Sequence, residues 1–180
     1  MNTIVEKMVR AAKLDVALYE EAAADESGLN QSMGVVLLAS LAAGIGSSGV
    51  LGPLGLVSGA VSALVTWFIW AVLTHFVGTG LLAEPQTRAT LQQVMRVTGF
   101  AAAPGAIRVL GIIPFLGVLV NLVALLWTLA AFIVAIRVVL NFSSTGRAVA
   151  VAVAGFAVQL IITFFLALIG IGGLTLLAAR

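Results

Sequence analysis

Residues 33–177 of this chain contain only six charged side chains, and the residues between them form long apolar runs. A helix needs about 20 apolar residues to cross a hydrocarbon layer about 30 Å thick, and runs of roughly that size recur along the chain. Of all 180 residues, 62% are hydrophobic and 9% are charged, so too little polar surface remains to cover a soluble globule. These features predict an all-α fold, that of a polytopic membrane protein.

The apolar runs predict five transmembrane helices, which end at turns rich in glycine and proline or at short polar loops. The predicted helices cover residues 33–48, 56–77, 99–113, 116–140 and 148–177. The third is the shortest, because it would reach only about 22 Å as an α-helix, and it contains Pro104. We therefore expect it to cross with help from the segment before it or from a locally thinned bilayer. Residues 33–180 form the predicted transmembrane domain, and residues 1–32 form a cytoplasmic segment before it.

Two further stretches place charged residues on one side of a helix and apolar residues on the other. The first, residues 3–24, predicts a single amphipathic helix that lies on the membrane surface or docks on the bundle. Asp15 is the exception in this stretch, because its carboxylate falls on the apolar side and would face the bundle. The second stretch, residues 87–97, predicts a short amphipathic helix in front of the third span.

Acidic residues are confined to the first half of the chain. Six of the seven precede residue 27, and Glu84 is the last. We expect the arginines after Glu84 to contact lipid phosphate, helix C-termini, water or the N-terminal segment. Arg108 is expected to reach the phosphates of the outer leaflet from within the third span. Arg137 and Arg147 are candidate lipid contacts where the fourth span ends and the fifth begins.

Side chains suited to catalysis or metal binding are scarce in this sequence. The chain has one histidine and no cysteine. A metal site or a catalytic triad cannot be assembled from one histidine and acidic residues that lie mostly near the N-terminus. We therefore predict no enzyme activity, no metal and no cofactor. The nine basic residues lie near loop ends, so the pI near 9.7 indicates membrane topology rather than nucleic-acid binding.

Some small and polar residues recur at helical spacing within the spans. Ser58, Ser62 and Thr66 lie four residues apart and would share one face of the second span. Two interpretations stay open for this face, namely close helix packing through small residues and a polar seam that lines a transport path. Asn121 and Thr128 share a face of the fourth span, and interhelical hydrogen bonds would explain them.

Three stretches of the sequence are distinctive. They are KLDVALYEEAAADES at residues 13–27, RVTGFAAAPGAIRVLG at residues 96–111, and LLWTLAAFIVAIRVVLNFSSTGRAVAVAVAGF at residues 125–156. Together they resemble a prokaryotic member of the Yip1-domain family. The resemblance implies five transmembrane helices, a cytoplasmic N-terminus and a bacterial or archaeal plasma membrane. It also singles out Gly99 and Phe100, at a position where the family often has Gly-Tyr, and the in-span Pro104.

Two functions stay open at this point. Eukaryotic members of the Yip1 family are implicated in vesicle trafficking and bind Rab GTPases, a partner that the prokaryotic members lack. The resemblance and the missing catalytic groups predict a role in membrane organisation or as a protein-interaction scaffold. Membrane lipids are the expected partners, and protein partners or self-association are further expectations. The alternative is a small transporter, channel or lipid-translocating protein that uses the polar faces of the bundle. Candidate contacts for either function are Asp15, Gly99, Phe100, Pro104, Arg108, Arg137 and Arg147.

The excess of lysine and arginine in alternate loops predicts that the N-terminus lies in the cytoplasm. A cysteine introduced at Gln86 should therefore react with a membrane-impermeant thiol reagent from the cytoplasmic side only, and one at Phe115 from the outside only. The chain has no native cysteine, so the unaltered protein is the control. Labelling of position 86 from the outside would contradict the predicted orientation.

Overall fold

The computed structural model describes residues 3–47 and 52–178, and within these ranges the chain forms helices and no β-strand. The α-helices in these ranges are, in order, α1 (Ile4–Ala12), α2 (Val16–Ala24), α3 (Leu29–Gly46), α4 (Gly52–Phe76), α5 (Leu91–Phe100), α6 (Gly117–Val139) and α7 (Thr145–Ala178). A π-helix, Val77–Leu81, continues α4, and a 3-10 helix, Ala103–Ile112, lies between α5 and α6. The prediction of an all-helical fold is confirmed.

Among the described residues, three helical segments are long and apolar enough to cross a membrane. They are Leu29–Gly46, Leu56–Leu81 and Gly117–Val139, which correspond to the first, second and fourth predicted spans. Residue 48, the predicted end of the first span, lies outside the described residues. The fifth predicted span falls within α7, where Thr145–Ile161 is a shorter apolar helix. The predicted number of five spans is therefore not confirmed.

The prediction of a third span at residues 99–113 as one α-helix is wrong. The α-helical conformation ends at Phe100, and the chain continues as the 3-10 helix Ala103–Ile112. Pro104 gives the physical reason, because a proline has no N–H and its ring clashes with the carbonyl four residues earlier in an α-helix. That carbonyl belongs to Phe100, the last residue of α5.

The 3-10 winding lengthens this short segment so that it runs along α3. A Cβ atom on Gly99 would lie 2.6 Å from Cβ of Ser32, and one on Gly111 would lie 2.9 Å from the carbonyl oxygen of Gly46. The distance from Ser32 to Gly46, fourteen residues along α3, is therefore matched by only twelve residues of the other segment, from Gly99 to Gly111. An α-helix rises about 1.5 Å per residue and a 3-10 helix about 2.0 Å, so the tighter helix supplies the missing length.

The N-terminal segment forms two helices rather than the single amphipathic helix predicted for residues 3–24. Leu14, between α1 and α2, has a φ of 61°, a left-handed conformation that a right-handed helix does not contain. Asp15 then serves as the N-cap of α2, because its carboxylate accepts a hydrogen bond from the N–H of Ala17 at 3.0 Å. Asp15, which a single helix would place on its apolar face, is therefore the residue at which a second helix begins.

The second predicted amphipathic helix, at residues 87–97, corresponds to α5 but is shifted along the chain. Thr90 caps this helix, since its hydroxyl accepts from the N–H of Gln93 at 3.2 Å and the Gln93 amide oxygen accepts from the N–H of Thr90 at 2.9 Å. The helix then extends to Phe100, and residues 96–100 are all buried. α5 is thus a helix of the bundle interior for half of its length.

The core of the described chain lies where α2, α5, α6 and α7 meet. Tyr19 and Leu18 of α2 are fully buried there with Phe100 of α5 and Ile136 of α6. The Tyr19 hydroxyl donates a hydrogen bond to the carbonyl of Ala11 at 3.1 Å, which ties α2 to α1. The two N-terminal helices are therefore packed into the fold and are not a free tail.

The two ends of the bundle differ in polarity. At one end, Glu84 accepts hydrogen bonds from the N–H and hydroxyl of Ser143 at 2.7 and 2.6 Å and pairs with Arg147 at 3.0 Å. We call this end, which holds the loops before α5 and before α7, the charged end. At the other end, the turn between the 3-10 helix and α6 is apolar, and Phe115 is fully exposed there. We call this the apolar end.

Replacement of Gly99 by valine tests the close approach of α3 and α5. The new side chain would meet Cβ and backbone atoms of Ser32, so we expect a lower melting temperature in detergent, equivalent to about 2 kcal/mol of stability. Gly59→Ala on α4 is the control, because no atom lies within 4 Å of its Cβ position. An unchanged melting temperature for Gly99→Val would contradict this packing.

Candidate interaction site at the N-terminal hairpin

α1 and α2 together, residues 4–24, form what we call the N-terminal hairpin, which packs on one side of the bundle. Near its start, the side chain of Ile4 fills the space beside Gly34 of α3. Its tip is held by Trp127 of α6, whose indole N–H donates to the carbonyl of Ala12 at 2.7 Å. At its other end, Arg96 of α5 donates to the carbonyl of Ala23 at 2.8 Å.

The contact with Trp127 places the tip of the hairpin far from the charged end. Trp127 lies ten residues after the start of α6 at Gly117 and twelve residues before its end at Val139. At about 1.5 Å per residue, the Ala12 carbonyl is therefore some 18 Å from the end of α6, close to its midpoint. The hairpin thus covers half the length of a helix that is long enough to span a membrane.

Three charged residues of the hairpin form a cluster that we call the hairpin cluster. Arg10 donates through Nε to Asp15 at 2.7 Å, and through both terminal nitrogens to Glu21 at 2.8 and 2.9 Å. The hydrogen bonds from Arg10 hold the pKa of both carboxyl groups below their usual range. Asp15, which was expected to face the bundle, is thus paired within its own hairpin.

A second polar group joins the hairpin to the start of α3. The Lys7 ammonium donates to the amide oxygen of Gln31 at 2.7 Å and lies 3.8 Å from the Asp25 carboxylate. It also lies 5.9 Å from the ring centre of Phe100, within the range of a cation–π contact. Phe100 is therefore a buried packing residue beneath a cation, and a tyrosine hydroxyl is not needed for that contact.

Arg96 is a buried cation that lies at the C-terminus of α2. Only 4% of this residue is exposed, and its guanidinium bonds to the last turn of α2, where the helix dipole favours positive charge. Its carbonyl accepts a hydrogen bond from the buried Ser32 hydroxyl at 2.8 Å. Arg96 therefore connects α2, α3 and α5 at one point.

The predicted contact residues fall into separate places in the fold. Gly99, Phe100 and Pro104 lie together at the change from α5 to the 3-10 helix, beside the hairpin. Arg137 and Arg147 lie at the charged end, far from that junction. Arg137 is exposed and donates to the Thr145 hydroxyl at 3.2 Å.

Arg147 has a carboxylate partner that sequence reasoning did not find. Besides its ion pair with Glu84, its guanidinium donates to the carbonyl of Leu82 at 3.1 Å. The hydrogen bonds from Ser143 hold the pKa of Glu84 below its usual range. A signal for this pair was present in the sequence, because Glu84 is the one acidic residue close to the arginine-rich half.

Arg108 turns back into the bundle. Its Nη1 atom lies 3.0 Å from the position of a Cβ on Gly105, and the Thr128 hydroxyl oxygen lies 3.8 Å from the same point. Arg108 is half-buried, and among the described residues it forms no ion pair or side-chain hydrogen bond. Its guanidinium thus lies beside Gly105 rather than at the turn near Pro114.

Neither polar residue of α6 forms the expected interhelical hydrogen bond within the described chain. The Asn121 side chain donates to the carbonyl of Gly117 in its own helix at 2.8 Å. The Thr128 hydroxyl is buried and has no hydrogen-bond partner among the described residues. This buried, unpaired hydroxyl is unusual enough to need an explanation.

Trp127 is the contact that sequence reasoning missed most clearly. Tryptophan in membrane proteins is concentrated at the interfaces, where its N–H can find a polar partner. A tryptophan at the middle of an apolar run is therefore a signal that a polar group lies at that depth. The Ala12 carbonyl is this group.

The hairpin and α6 both expose apolar side chains. Val5, Val9 and Val16 of the hairpin are about half exposed, and Val5 reaches 62%. Leu122 and Leu126 of α6 are exposed as well. Charged residues lie close to the exposed valines, so this side of the molecule has the mixed character of a membrane–water boundary.

The molecule has apolar helices that are long enough to cross a membrane, and many of its large apolar side chains are exposed. These two features define its class as a helical membrane protein. The family model for the Yip1 domain matches residues 23–175, which is most of the chain. The protein therefore belongs to the Yip1 family, as its sequence motifs suggested. No curated protein and no solved structure matches the chain. Within the described residues, no group of three or more metal-ligating side chains comes together.

Docking of the hairpin should weaken in acid. The pKa values of Asp15 and Glu21 are lower in the folded protein than their usual values near 4, so their pairing with Arg10 stabilises the fold above about pH 4. This contribution is lost as the pH falls through the lowered pKa values. Fluorescence of Trp127, with Trp67 and Trp70 replaced by phenylalanine, should report release of the hairpin as the pH falls below about 4.

The variant that carries both Asp15→Asn and Glu21→Gln is the control for this titration. It should have a looser hairpin already at pH 7, and the Trp127 emission should not change further in acid. An acid transition of the same size in this variant would show that other carboxylates hold the hairpin.

Proposed function

We propose that the protein is a non-catalytic membrane organiser whose N-terminal hairpin indents the cytoplasmic leaflet on one side of the bundle. The observation that carries this proposal is the hydrogen bond from Trp127 to the Ala12 carbonyl, which holds a charged hairpin beside the midpoint of α6. Arg10, Lys13 and Asp15 lie around this contact and need water or lipid headgroups around them. The bilayer on this side must therefore be thinner than α6 is long.

The opposite side of the bundle supports the asymmetry. Trp70 of α4 packs edge-on against Phe132 of α6, with ring centres 5.5 Å apart, and also against Gly155 of α7. Phe76 is 68% exposed and lies six residues, or about 9 Å, closer to the charged end than Trp70. Trp127 lies five residues, or about 7 Å, from Phe132 toward the apolar end. The apolar boundary thus differs by about 16 Å between the two sides.

The orientation follows from the charges at one end. Arg88, Arg137 and Arg147 belong to the charged end, so the positive-inside rule supports a cytoplasmic location for this end and for the N-terminal hairpin. In this arrangement α3, α4 and α6 span the membrane. The 34 residues of α7 are also long enough to cross it, and α5 with the 3-10 helix completes a fifth crossing by its extra rise.

Lipid translocation is the second candidate function, and a different observation favours it. The Arg108 guanidinium and the Thr128 hydroxyl place polar groups at the midpoint of α6, on the indented side. Ser58, Ser62 and Thr66 do not add to this path, because all three are exposed on α4. An indentation alone organises lipids around the protein, whereas lipid translocation also requires polar groups near the middle of the membrane that can contact a headgroup.

Depth measurements with spin labels test the proposed indentation. We expect a label at Lys13→Cys to be accessible to a water-soluble paramagnetic reagent. A label at Leu160→Cys should be accessible mainly to oxygen, which concentrates in lipid. Leu160, which is exposed on α7, is the matched control. Gly155 and Phe132 both contact Trp70 and so lie at one depth. Leu160 is five residues from Gly155 toward the apolar end, and Trp127 is five residues from Phe132 in the same direction. Equal burial of both labels in lipid would show that no indentation exists.

A further inference from the structure

We propose that the turn between the 3-10 helix and α6 is a membrane anchor, which inserts the Phe115 side chain into the lipid leaflet opposite the charged end. We call this segment, residues 112–118, the apolar turn. The inference goes beyond the proposed function, because it concerns the other end of the bundle and does not depend on the indentation.

The apolar turn holds Phe115 in a backbone conformation that a bulky residue disfavours. The Leu116 N–H donates to the carbonyl of Ile113 at 3.2 Å, which closes a four-residue turn with Pro114 and Phe115 at its centre. Phe115 has a φ of 71°, and the place after the proline in such a turn is normally held by glycine or asparagine. The turn by itself would therefore favour a different residue at position 115.

Within the described chain, no packing of the Phe115 side chain offsets this strain. The side chain is fully exposed, so it adds nothing to the core. Its neighbours Ile112 and Val118 are 56% and 84% exposed. Large apolar side chains that are exposed together mark a contact with another molecule or with a membrane. A strained and fully exposed aromatic residue therefore points to a role outside the fold.

The composition of the turn indicates lipid as the partner. All twelve residues from Val109 to Val120 are apolar or glycine, so none of their side chains can form a hydrogen bond with water. The loops at the charged end differ, because residues 82–90 and 140–147 each contain charged and hydroxyl side chains. The chain thus has polar side chains in the loops of its charged end and none in the apolar turn.

The exposed apolar surface of α6 continues into the turn. Val118 and Leu119, in the first turn of α6, are both exposed. Asn121 is the first polar residue after them, and its amide donates to the carbonyl of Gly117 in the same helix. α6 is long and apolar enough to cross a membrane, so its exposed side chains face acyl chains. This lipid contact therefore extends from α6 onto Phe115.

The backbone of the turn also suits a boundary with little water. Unpaired N–H groups are costly in lipid, and Pro114 has no N–H. The Ile113 N–H donates to the carbonyl of Leu110 at 3.1 Å, and the Leu116 N–H is bonded inside the turn. A segment with few free donors and exposed phenylalanine and leucine side chains is stabilised where headgroups meet acyl chains.

Depth measurements with spin labels in phosphatidylcholine liposomes test the anchor. A label at Val118→Cys reports on the apolar turn while Phe115 is still present. Ala83→Cys, exposed in the loop before α5, is the matched control at the charged end. We expect the label at position 118 to collide mainly with oxygen, which concentrates in lipid, and the label at position 83 mainly with a water-soluble nickel reagent. Equal accessibility of both labels to the nickel reagent would overturn the anchor.

The variant Phe115→Asn separates anchoring from folding. Asparagine tolerates the left-handed conformation and the phenylalanine ring packs against nothing, so the melting temperature in detergent should stay the same or rise. In liposomes, the accessibility of the label at position 118 to the nickel reagent should rise severalfold. Phe115→Leu keeps an apolar tip and should leave that accessibility nearly unchanged. A lower melting temperature for Phe115→Asn, or an unchanged depth, would contradict the anchor.

The remaining outcomes concern a protein partner and the proposed function. If a second copy covered the turn, labels at position 118 would show a dipolar interaction that dilution with unlabelled protein removes, and this result would overturn lipid as the partner. A lipid-exposed label at position 118 together with a lipid-buried label at position 13 would leave the anchor standing and contradict the indentation. A hydrated label at both positions would do the reverse.

Discussion

The backbone of Arg108 lies so close to Gly46 that no side chain would fit at position 46. This contact holds the 3-10 helix along α3, and Gly99 against Ser32 holds the other end of the same pair. Together they set the level of Gly105 and the direction of the Arg108 side chain. Helices in lipid gain little from burying apolar surface, so close backbone approach through small residues is a main source of stability.

The N-terminal hairpin packs against this pair of segments and adds charged residues to the fold. Arg10 pairs with two carboxylates within the hairpin, while Arg96 and Trp127 each donate to a backbone carbonyl at its helix ends. The hairpin is therefore attached to the bundle mostly through main-chain carbonyls and buried apolar side chains, such as Tyr19. Its ionised groups remain near the surface, where they require a hydrated boundary.

Much of the fold could be predicted from run lengths alone, because α3, α4 and α6 each follow an apolar run that begins and ends at a break. Pro104 showed that the third run was unusual, but the change to a 3-10 helix depends on its contacts with α3. The break at Leu14 could not be predicted, since a positive φ there has no glycine or proline to signal it. Arg108 was recognised as exceptional, yet its inward direction depends on the absence of a side chain at Gly105, which lets the guanidinium approach that backbone.

The hairpin also constrains the order in which the chain can fold. Its two backbone contacts join residues that are 73 and 115 positions apart, although the hairpin is synthesised first. α1 and α2 must therefore wait for their partners until α5 and then α6 have been synthesised and have formed. The charged hairpin closes over the core as a late step, and contacts of such high sequence separation are slow to form.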